Sequence, residues 1–202
     1  MPGKTKTKAS SRKRDAIVNS ALEVFLELGY GDTTIDEIVK RAGGSKATIY
    51  KYFKNKEELF ATVVDELVRH SPTGELNPDD SPRDALLAYA ESRLNQVFTK
   101  EHIALRRLVI GEGSRFPNIA KMYYNHGPGL SHKQLEKCFK EEKTRRNIKI
   151  EDANLAATIF QSMLMHSMYL RTLFTAHGQL TRKELKQHAN TVVDNFLHFY
   201  HA

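Results

Sequence analysis

The fold is decided by residues 31–59, which read GDTTIDEIVKRAGGSKATIYKYFKNKEEL. Thr34 and Glu37 have the spacing of a capping box, in which Thr34 accepts from the amide three residues on and Glu37 reaches back to the amide of Thr34. The helix that starts there is short, because the glycine pair 43–44 ends it after about two turns. Ser45 can cap a second short helix. Two short helices joined by a tight glycine turn predict a helix-turn-helix.

Longer helices flank this motif on both sides. We predict the upstream helix from near Ser11 to Gly29, because apolar residues recur at helical spacing on one face; they are Ile17, Val18, Ala21, Val24, Phe25 and Leu28. The downstream helix opens at Asn55, and its apolar stripe is Leu59, Phe60, Val63, Val64, Leu67 and Val68. Residues 1–10 are basic and lack apolar periodicity, so we expect a flexible basic arm there.

The second short helix, from Ser45 to Tyr52, has the composition of a DNA recognition helix. Its N-terminus offers free backbone amides and a positive dipole end to phosphate. Ile49 can face the core, while small residues such as Ala47 and Thr48 let a helix lie deep in the major groove, where base edges differ. Its expected exposed side chains donate hydrogen bonds; they are Ser45, Lys46, Thr48, Tyr50 and Lys51.

Residues 31–59 resemble the signature of the TetR family, and the resemblance extends from Arg12 to Phe60. It implies an all-helical repressor with an N-terminal DNA-binding domain and a larger C-terminal domain that binds a ligand and forms a dimer. The positions at which family members touch DNA correspond here to Thr34, Ser45, Lys46, Ala47, Thr48, Tyr50, Lys51, Tyr52 and Lys56. Two positions depart from the family pattern. Gly44 replaces a branched apolar residue and should loosen the turn, and Ala47 replaces a glycine, which adds a methyl at the groove surface.

Blander interpretations of these side chains stay open. The two tyrosines of the recognition helix could be half-buried aromatics, and its two lysines could be solvated surface charges. The charge distribution favours DNA contact. Residues 1–56 hold 12 Lys+Arg and 6 Asp+Glu, a net +6, which leaves 31 − 12 = 19 and 24 − 6 = 18, a net +1, for residues 57–202. A polyanion-facing module joined to a nearly neutral one fits this asymmetry, although a solvated basic tail would also produce it.

The remainder of the chain also reads as helical. Residues 71–82 hold three prolines and predict a linker, and Gly127-Pro128-Gly129 predicts a break. Between and beyond them we predict helices over 82–99, 101–111, 118–126, 131–142, 151–176 and 181–201, with an irregular basic stretch before residue 150. No run alternates like a strand. We therefore predict an all-α protein of about nine helices with three parts: a flexible basic arm at 1–10, a helix-turn-helix domain at 11–56, and a ligand-binding and dimerisation domain at 57–202.

The stretch from Arg106 to Leu130 resembles the AefR-like C-terminal domain of the family, which implies a small-molecule response. We predict an apolar or amphipathic inducer, because Met side chains adapt to varied ligands. The candidate lining residues are Phe116, Met122, Tyr123, Phe160, Met163, His166 and Tyr169. Each could instead be a core residue.

The last two predicted helices carry apolar stripes suited to a homodimer interface, with Leu155, Ile159, Met163, Leu185, Val192, Phe196 and Phe199. A two-fold dimer would place two recognition helices about one DNA turn (~34 Å) apart and require a palindromic double-stranded DNA operator.

Other function classes find little support in the sequence. His198 and His201 stand three apart near the C-terminus without a Cys or carboxylate nearby, so we expect no metal and no cofactor. Cys138 lies between basic residues and could sense redox changes, although a lone helical thiol is more often inert. No catalytic constellation, membrane span or secretory signal emerges, which favours a cytoplasmic regulator over an enzyme. A non-specific DNA binder is the other alternative.

Overall fold

The computed structural model describes residues 4–69, 81–141, 148–175 and 180–200, with the backbone alone for 4–9 and 68–69. These residues form α-helices and no strand, which confirms the all-α prediction. The helices are α1 (Lys4–Asp32), α2 (Ile35–Ala42), α3 (Lys46–Tyr52), α4 (Lys56–Arg69), α5 (Pro82–Val97), α6 (Lys100–Glu112), α7 (Pro117–His126), α8 (Pro128–Lys140), α9 (Ala153–Phe174) and α10 (Arg182–Tyr200). None of the helices described combines the length and apolar character needed to cross a membrane.

Side-chain caps start the two short helices where the sequence predicts. The Thr34 hydroxyl accepts from the Glu37 amide at the start of α2, and the Ser45 hydroxyl accepts from the Thr48 amide at the start of α3. Of the first capping box only the Thr34 half is seen, and the Glu37 carboxylate instead accepts a hydrogen bond from Lys40 Nζ at 2.6 Å. A single side-chain acceptor therefore suffices to start each short helix.

The upstream helix is longer than predicted. It begins at Lys4, so the predicted start near Ser11 is wrong, while the flexible basic arm expected at residues 1–10 stays a prediction. Lysine and alanine have high helix propensity, which lets a helix extend beyond the point where its apolar face ends. At the other end Gly29 interrupts the helix with φ 81°, a conformation that glycine adopts without steric cost.

The chain packs into two compact units that are each built from separated segments. The first comprises residues 1–67 and 104–126, and the second comprises residues 68–103 and 127–202. Packing thus groups the chain differently from the predicted division at residue 56, which was based on function and stays a prediction. In the first unit Phe60 packs edge-on against both Phe25 and Tyr30, with ring centroids 5.2 Å apart in each pair.

The second unit has an aromatic centre. Phe196 of α10 stacks on Phe139 of α8 at 5.6 Å and meets Phe160 of α9 edge-on at 4.9 Å. All three side chains are fully buried. Around them α5 packs along α10, and α8 packs along α9.

Helix boundaries in the second unit follow the predicted signals with small shifts. Ser81 caps α5 with Pro82 in its first turn, and Thr181 and Glu184 form the predicted reciprocal capping box before α10. The predicted break at 127–129 lies at Gly127 alone, because proline is compatible with the first turn of α8. Some of the predicted segments lie outside the described residues. They are residues 71–80 of the predicted linker, residues 142–147 of the predicted basic irregular stretch, and residues 176–179 and 201–202, where the last two predicted helices end.

Candidate nucleic-acid interface

Helix α3 presents one face to the core and the other to solvent. Ile49 and Phe53 lie four residues apart and are both buried, so they anchor the helix. Tyr50 lies one residue further round, and 52% of its surface is exposed. Because residues four apart share a helix face, this anchoring directs the intervening side chains away from the core. The geometry is that of a short helix held by one side.

Most of the predicted DNA-binding residues lie on the free surface of this motif. Six of them are exposed: Thr34, Ser45, Lys46, Ala47, Tyr50 and Lys51. Thr48, Tyr52 and Lys56 are half-buried. The Tyr52 hydroxyl shares a hydrogen bond of 3.0 Å with the Ser10 hydroxyl of α1, which holds the Tyr52 ring against α1.

The exposed cations of α3 have neighbours that set their position. Lys46 Nζ lies 2.9 Å from the Asp36 carboxylate of α2, and this hydrogen bond raises the pKa of Lys46 above its usual value. Lys51 Nζ lies 5.9 Å from the centre of the Tyr52 ring. Both side chains remain exposed, so they could exchange these partners for phosphate or base-edge acceptors.

The turn between α2 and α3 is held by a lysine from α1. Gly43 and Gly44 have φ values of 67° and 111°, which favour glycine at both positions. Lys13 Nζ donates to the carbonyl of Ala42 at 3.2 Å and to that of Gly43 at 2.9 Å. The expected loosening of the turn by Gly44 is thus opposed by a contact that the sequence did not reveal, since Lys13 lies 29 residues before Ala42.

Lys56 supports the turn that leads into α2. Its Nζ donates to three backbone carbonyls, those of Tyr30 at 2.7 Å, Gly31 at 3.2 Å and Thr33 at 2.8 Å. Partial burial lowers the pKa of Lys56 below its usual value. A DNA contact by Lys56 stays a prediction, but its ammonium is engaged within the protein.

The amides of the same turn are bound by a carboxylate from α6. Glu112 accepts from the Tyr30 amide at 2.6 Å and from the Gly31 amide at 2.7 Å, one with each oxygen. Burial, together with the carboxylates of Glu57 and Glu112, raises the pKa of Tyr30 to about 12. Glu112 falls within the stretch that resembles the AefR-like domain, but nothing local to residue 112 indicates a partner 82 residues away.

The predicted ligand-lining residues are not gathered within one unit. Phe116, Met122 and Tyr123 belong to the first unit and are half-buried, and Phe116 packs against Tyr30 with ring centroids 5.1 Å apart. The others, Phe160, Met163, His166 and Tyr169, belong to the second unit. Phe160 fills the centre of the aromatic core, so the core interpretation fits it, whereas His166 is exposed. Ligand contact by this set stays a prediction.

One cleft in the second unit is lined mostly by charged and polar residues. It has a volume of about 460 Å³ and none of the predicted ligand-lining residues around it. The residues around it are Glu136, Phe139, Lys140, Ile150, Glu151, Asp152, Ala153 and Asn154. Within the described part of the chain, no group of three or more His, Cys, Asp or Glu side chains could hold a metal ion.

The predicted dimer stripe of the last two helices divides into exposed and buried members. Leu155 and Phe199 are exposed, and Ile159 and Met163 are half-buried. Leu185, Val192 and Phe196 of α10 are instead buried in the core of their own unit, so their assignment to an intermolecular surface is wrong. The apolar spacing of α10 predicts a buried face correctly but does not say which partner covers it.

Two family models match most of the chain. Residues 17–63 match the model described as bacterial regulatory proteins, tetR family. Residues 84–202 match the model described as AefR-like transcriptional repressor, C-terminal domain. The two matches reproduce both resemblances inferred from the sequence, the first at the helix-turn-helix and the second in the C-terminal part.

Individual relatives agree with these matches. The HTH-type transcriptional regulator RutR of Escherichia coli (strain K12) is 30% identical over 91 residues, which cover 44% of this chain and 43% of RutR. The HTH-type transcriptional regulator YhgD of Bacillus subtilis (strain 168) is 40% identical over 57 residues, 28% of this chain and 30% of YhgD. The matched segments thus span less than half the length of these curated relatives.

Solved structures match over nearly the whole chain. A TetR-family transcriptional regulator from Mesorhizobium loti MAFF303099 superposes with a TM-score of 0.82 at 29% identity, covering 95% of this chain and 98% of the other. The flavonoid-responsive regulator FrrA superposes with a TM-score of 0.72 at 30% identity, covering 94% and 97%. The similarity therefore includes both the helix-turn-helix and the C-terminal helices.

Proposed function

The chain belongs to the TetR family of bacterial transcriptional regulators, and we propose on this basis that it is a repressor that binds a palindromic operator as a homodimer and is released by a small molecule. Membership of this family confirms that the chain is a regulator and not an enzyme. The operator, the dimer interface and the inducer are the parts of the proposal that need experiment.

Sequence-specific DNA binding is supported above all by the exposed face of α3. Ile49 and Phe53 anchor the helix in the core, which leaves Lys46, Tyr50 and Lys51 free to meet base edges and phosphates. Ser45 caps the helix at the Thr48 amide, and the amides of the first helical residues would be the ones to meet an approaching phosphate. These features favour a specific reader over a protein that binds any duplex by charge alone.

Homodimer formation is supported by large apolar side chains that the second unit leaves exposed. Leu155, Leu170 and Phe174 lie on α9, and Phe199 lies on α10. A second copy meeting the same helices would remove these side chains from water. Two-fold symmetry would then present two α3 helices to half-sites about one DNA turn (~34 Å) apart.

Release by an apolar or amphipathic compound is supported by Met and Tyr side chains that are only half-buried within their own units. Met122 and Tyr123 of α7, and Met163 and Tyr169 of α9, are of this kind. FrrA is described as flavonoid-responsive, so planar aromatic compounds with hydroxyl groups are the first class to screen. Binding of such a compound would shift the population between DNA-competent and incompetent states.

The first experiment is selection of duplexes from a randomised DNA pool by the full chain, with the affinity of the winners measured at several salt concentrations. We expect a palindromic consensus bound about 10³–10⁷-fold more tightly than random DNA. Uniform enrichment, with a salt slope that accounts for the whole interaction, would contradict specific recognition and favour a charge-driven binder. The selected operator then serves for the inducer screen.

A further inference from the structure

The segment from Gly29, where α1 is kinked, to Thr33 forms the turn that leads into α2, and side chains from outside α1–α3 bind both its amides and its carbonyls. Glu112 accepts from the amides of Tyr30 and Gly31, while Lys56 donates to the carbonyls of Tyr30, Gly31 and Thr33. The next residue, Thr34, is the cap of α2. The turn that immediately precedes the DNA-reading motif is therefore fixed by charged groups of α4 and α6.

Two successive amides directed at one carboxylate form an anion-binding concavity in the backbone. Gly29, with φ 81°, opens this concavity. A Cβ atom at Gly29 would lie 2.5 Å from Glu112 Oε1, and one at Gly31 would lie 3.2 Å from Oε2 and 3.2 Å from the Phe116 ring. The close approach of the carboxylate thus depends on glycine at both positions, which explains the pair Gly29 and Gly31 better than a simple helix stop does.

Apolar packing covers one side of this contact, which is half-buried. Tyr30 is buried, and its ring packs against Phe60 at 5.2 Å and Phe116 at 5.1 Å. Lys56 Nζ lies 4.5 Å from the centre of the same ring. Hydrogen bonds to a charged acceptor are stronger than neutral ones, and amides left without an acceptor in such surroundings are costly.

We propose that Glu112 is a positioning residue for DNA binding: its carboxylate, seated on the amides of Tyr30 and Gly31, fixes the start of α2 and hence the orientation of the helix-turn-helix for operator binding. The inference rests on the proposed operator binding, to which it adds a residue outside the predicted DNA-contacting set. Loss of the carboxylate leaves the turn free to adopt other arrangements, so only a fraction of molecules holds α3 in the orientation that the operator requires.

The direction in which operator affinity changes distinguishes a positioning role of Glu112 from a simple charge effect on DNA binding. Glu112→Gln removes a negative charge, and charge alone predicts tighter binding to DNA. Glutamine retains one acceptor oxygen, but its NH2 group faces the second amide. We expect operator affinity to fall about tenfold, the change that corresponds to one unsatisfied donor, while affinity for random DNA stays equal or rises slightly.

A second variant reaches the same contact without a change of charge. Gly31→Ala places a Cβ atom against both Glu112 and Phe116, at a position without positive φ, and should weaken operator binding in the same direction. Because both changes act on one contact, their effects should not add. The double variant should bind the operator with about the same affinity as whichever single variant binds it less tightly. Glu101→Gln in the first turn of α6 is the matched control, since it removes the same charge from an exposed position, and it should not weaken binding.

Backbone hydrogen exchange of the full chain tests the contact directly. In Glu112→Gln the Tyr30 and Gly31 amides should exchange about tenfold faster, while those of the middle of α1 keep their protection. Unchanged exchange at both amides, or unchanged operator affinity with faster exchange, would overturn the inference. A wild-type chain without preference for any duplex would instead overturn the proposed function, and the exchange of the two amides would still decide whether the carboxylate contact exists.

Discussion

Aromatic side chains are placed in opposite ways in helix α3, the proposed recognition helix, and in the core of the second unit. Tyr50 of α3 exposes 52% of its surface, whereas Phe139, Phe160 and Phe196 are fully buried and pack against one another. All four lie on helices, so secondary structure does not separate them. The difference follows from what else shares the helix face.

Helix α3 has two turns and a narrow buried face made by Ile49 with Phe53 beyond its end, so the neighbouring Tyr50 falls outside that face. Helix α9 is 22 residues long and buries a wide face that includes Ala156, Phe160 and Leu164. An aromatic on a wide apolar face has packing partners within its own unit, whereas one beside a narrow face does not. The comparison predicts that the first kind contributes to stability and the second to recognition.

The largest expected effect comes from Phe160→Ala. Removal of this buried ring leaves a cavity between Phe139 and Phe196 and should lower the free energy of unfolding by about 3–5 kcal/mol. Chemical denaturation of the variant and the wild type measures the difference. Tyr124→Ala is the matched control, because Tyr124 is 61% exposed and its removal should change stability by less than about 0.5 kcal/mol. A loss below about 1 kcal/mol at Phe160 would contradict the core assignment and revive its predicted ligand contact.

Local signals made the fold largely predictable. The caps at Thr34, Ser45, Ser81 and Thr181 act within three residues of themselves, so the chain sequence contains the whole interaction. The two short helices and the turn between them were likewise predicted from local spacing, whereas the set of side chains that meet DNA stays a prediction.

Contacts between distant parts of the chain could not be predicted in the same way. Lys13 meets carbonyls 29 and 30 residues away, and Glu112 meets amides 82 and 81 residues away. Their own neighbours in sequence carry no trace of these partners. The burial of Leu185, Val192 and Phe196 was missed as a core feature for a related reason, since an apolar stripe is equally compatible with an intramolecular and an intermolecular partner.

The second largest effect is expected from Tyr50→Ala, measured on operator binding. If the ring or hydroxyl reaches a base edge, the affinity for the selected operator should fall by about 1–3 kcal/mol, with the stability of the chain changed by less than about 0.5 kcal/mol. The adjacent change Ile49→Ala sharpens the contrast, because Ile49 is buried and its loss should cost about 2–5 kcal/mol of stability. Equal operator affinity of Tyr50→Ala and wild type would remove Tyr50 from the recognition face.

A smaller effect on stability is expected at the N-terminal cap of α10, which is built differently from that of α3. Helix α10 starts with a reciprocal box, in which the Glu184 amide donates to the Thr181 hydroxyl and Glu184 accepts from the Thr181 amide, whereas α3 has the single Ser45 cap. Thr181→Ala should lower the free energy of unfolding by about 1 kcal/mol, within the usual range of about 0.5–2 kcal/mol for a lost cap. Thermal and chemical unfolding measure it, with Thr181→Ser as the control that preserves the hydroxyl. If the serine variant loses as much stability as the alanine variant, the hydroxyl is not the stabilising group.

The pH dependence of stability separates these helix starts further. The amide and hydroxyl of Thr181, with the Arg171 guanidinium, lower the pKa of Glu184 to about 2 from an ordinary 4.5. Because the pKa is lower in the folded chain, this carboxylate stabilises fully above pH 4.5, and its contribution is lost as the pH falls towards about 2. Helix α3 has no acidic residue in its first turn, so its cap lacks this dependence.

Glu184→Gln should therefore destabilise the chain at neutral pH and have progressively less effect below pH 4.5, which denaturation of both proteins across this range would measure. Because the two proteins differ only at residue 184, the difference between their stability curves reports the effect of that residue. A difference that stays constant from neutral pH to about 2 would mean that the charge of Glu184 does not matter to the box and that its hydrogen bonds act as neutral ones.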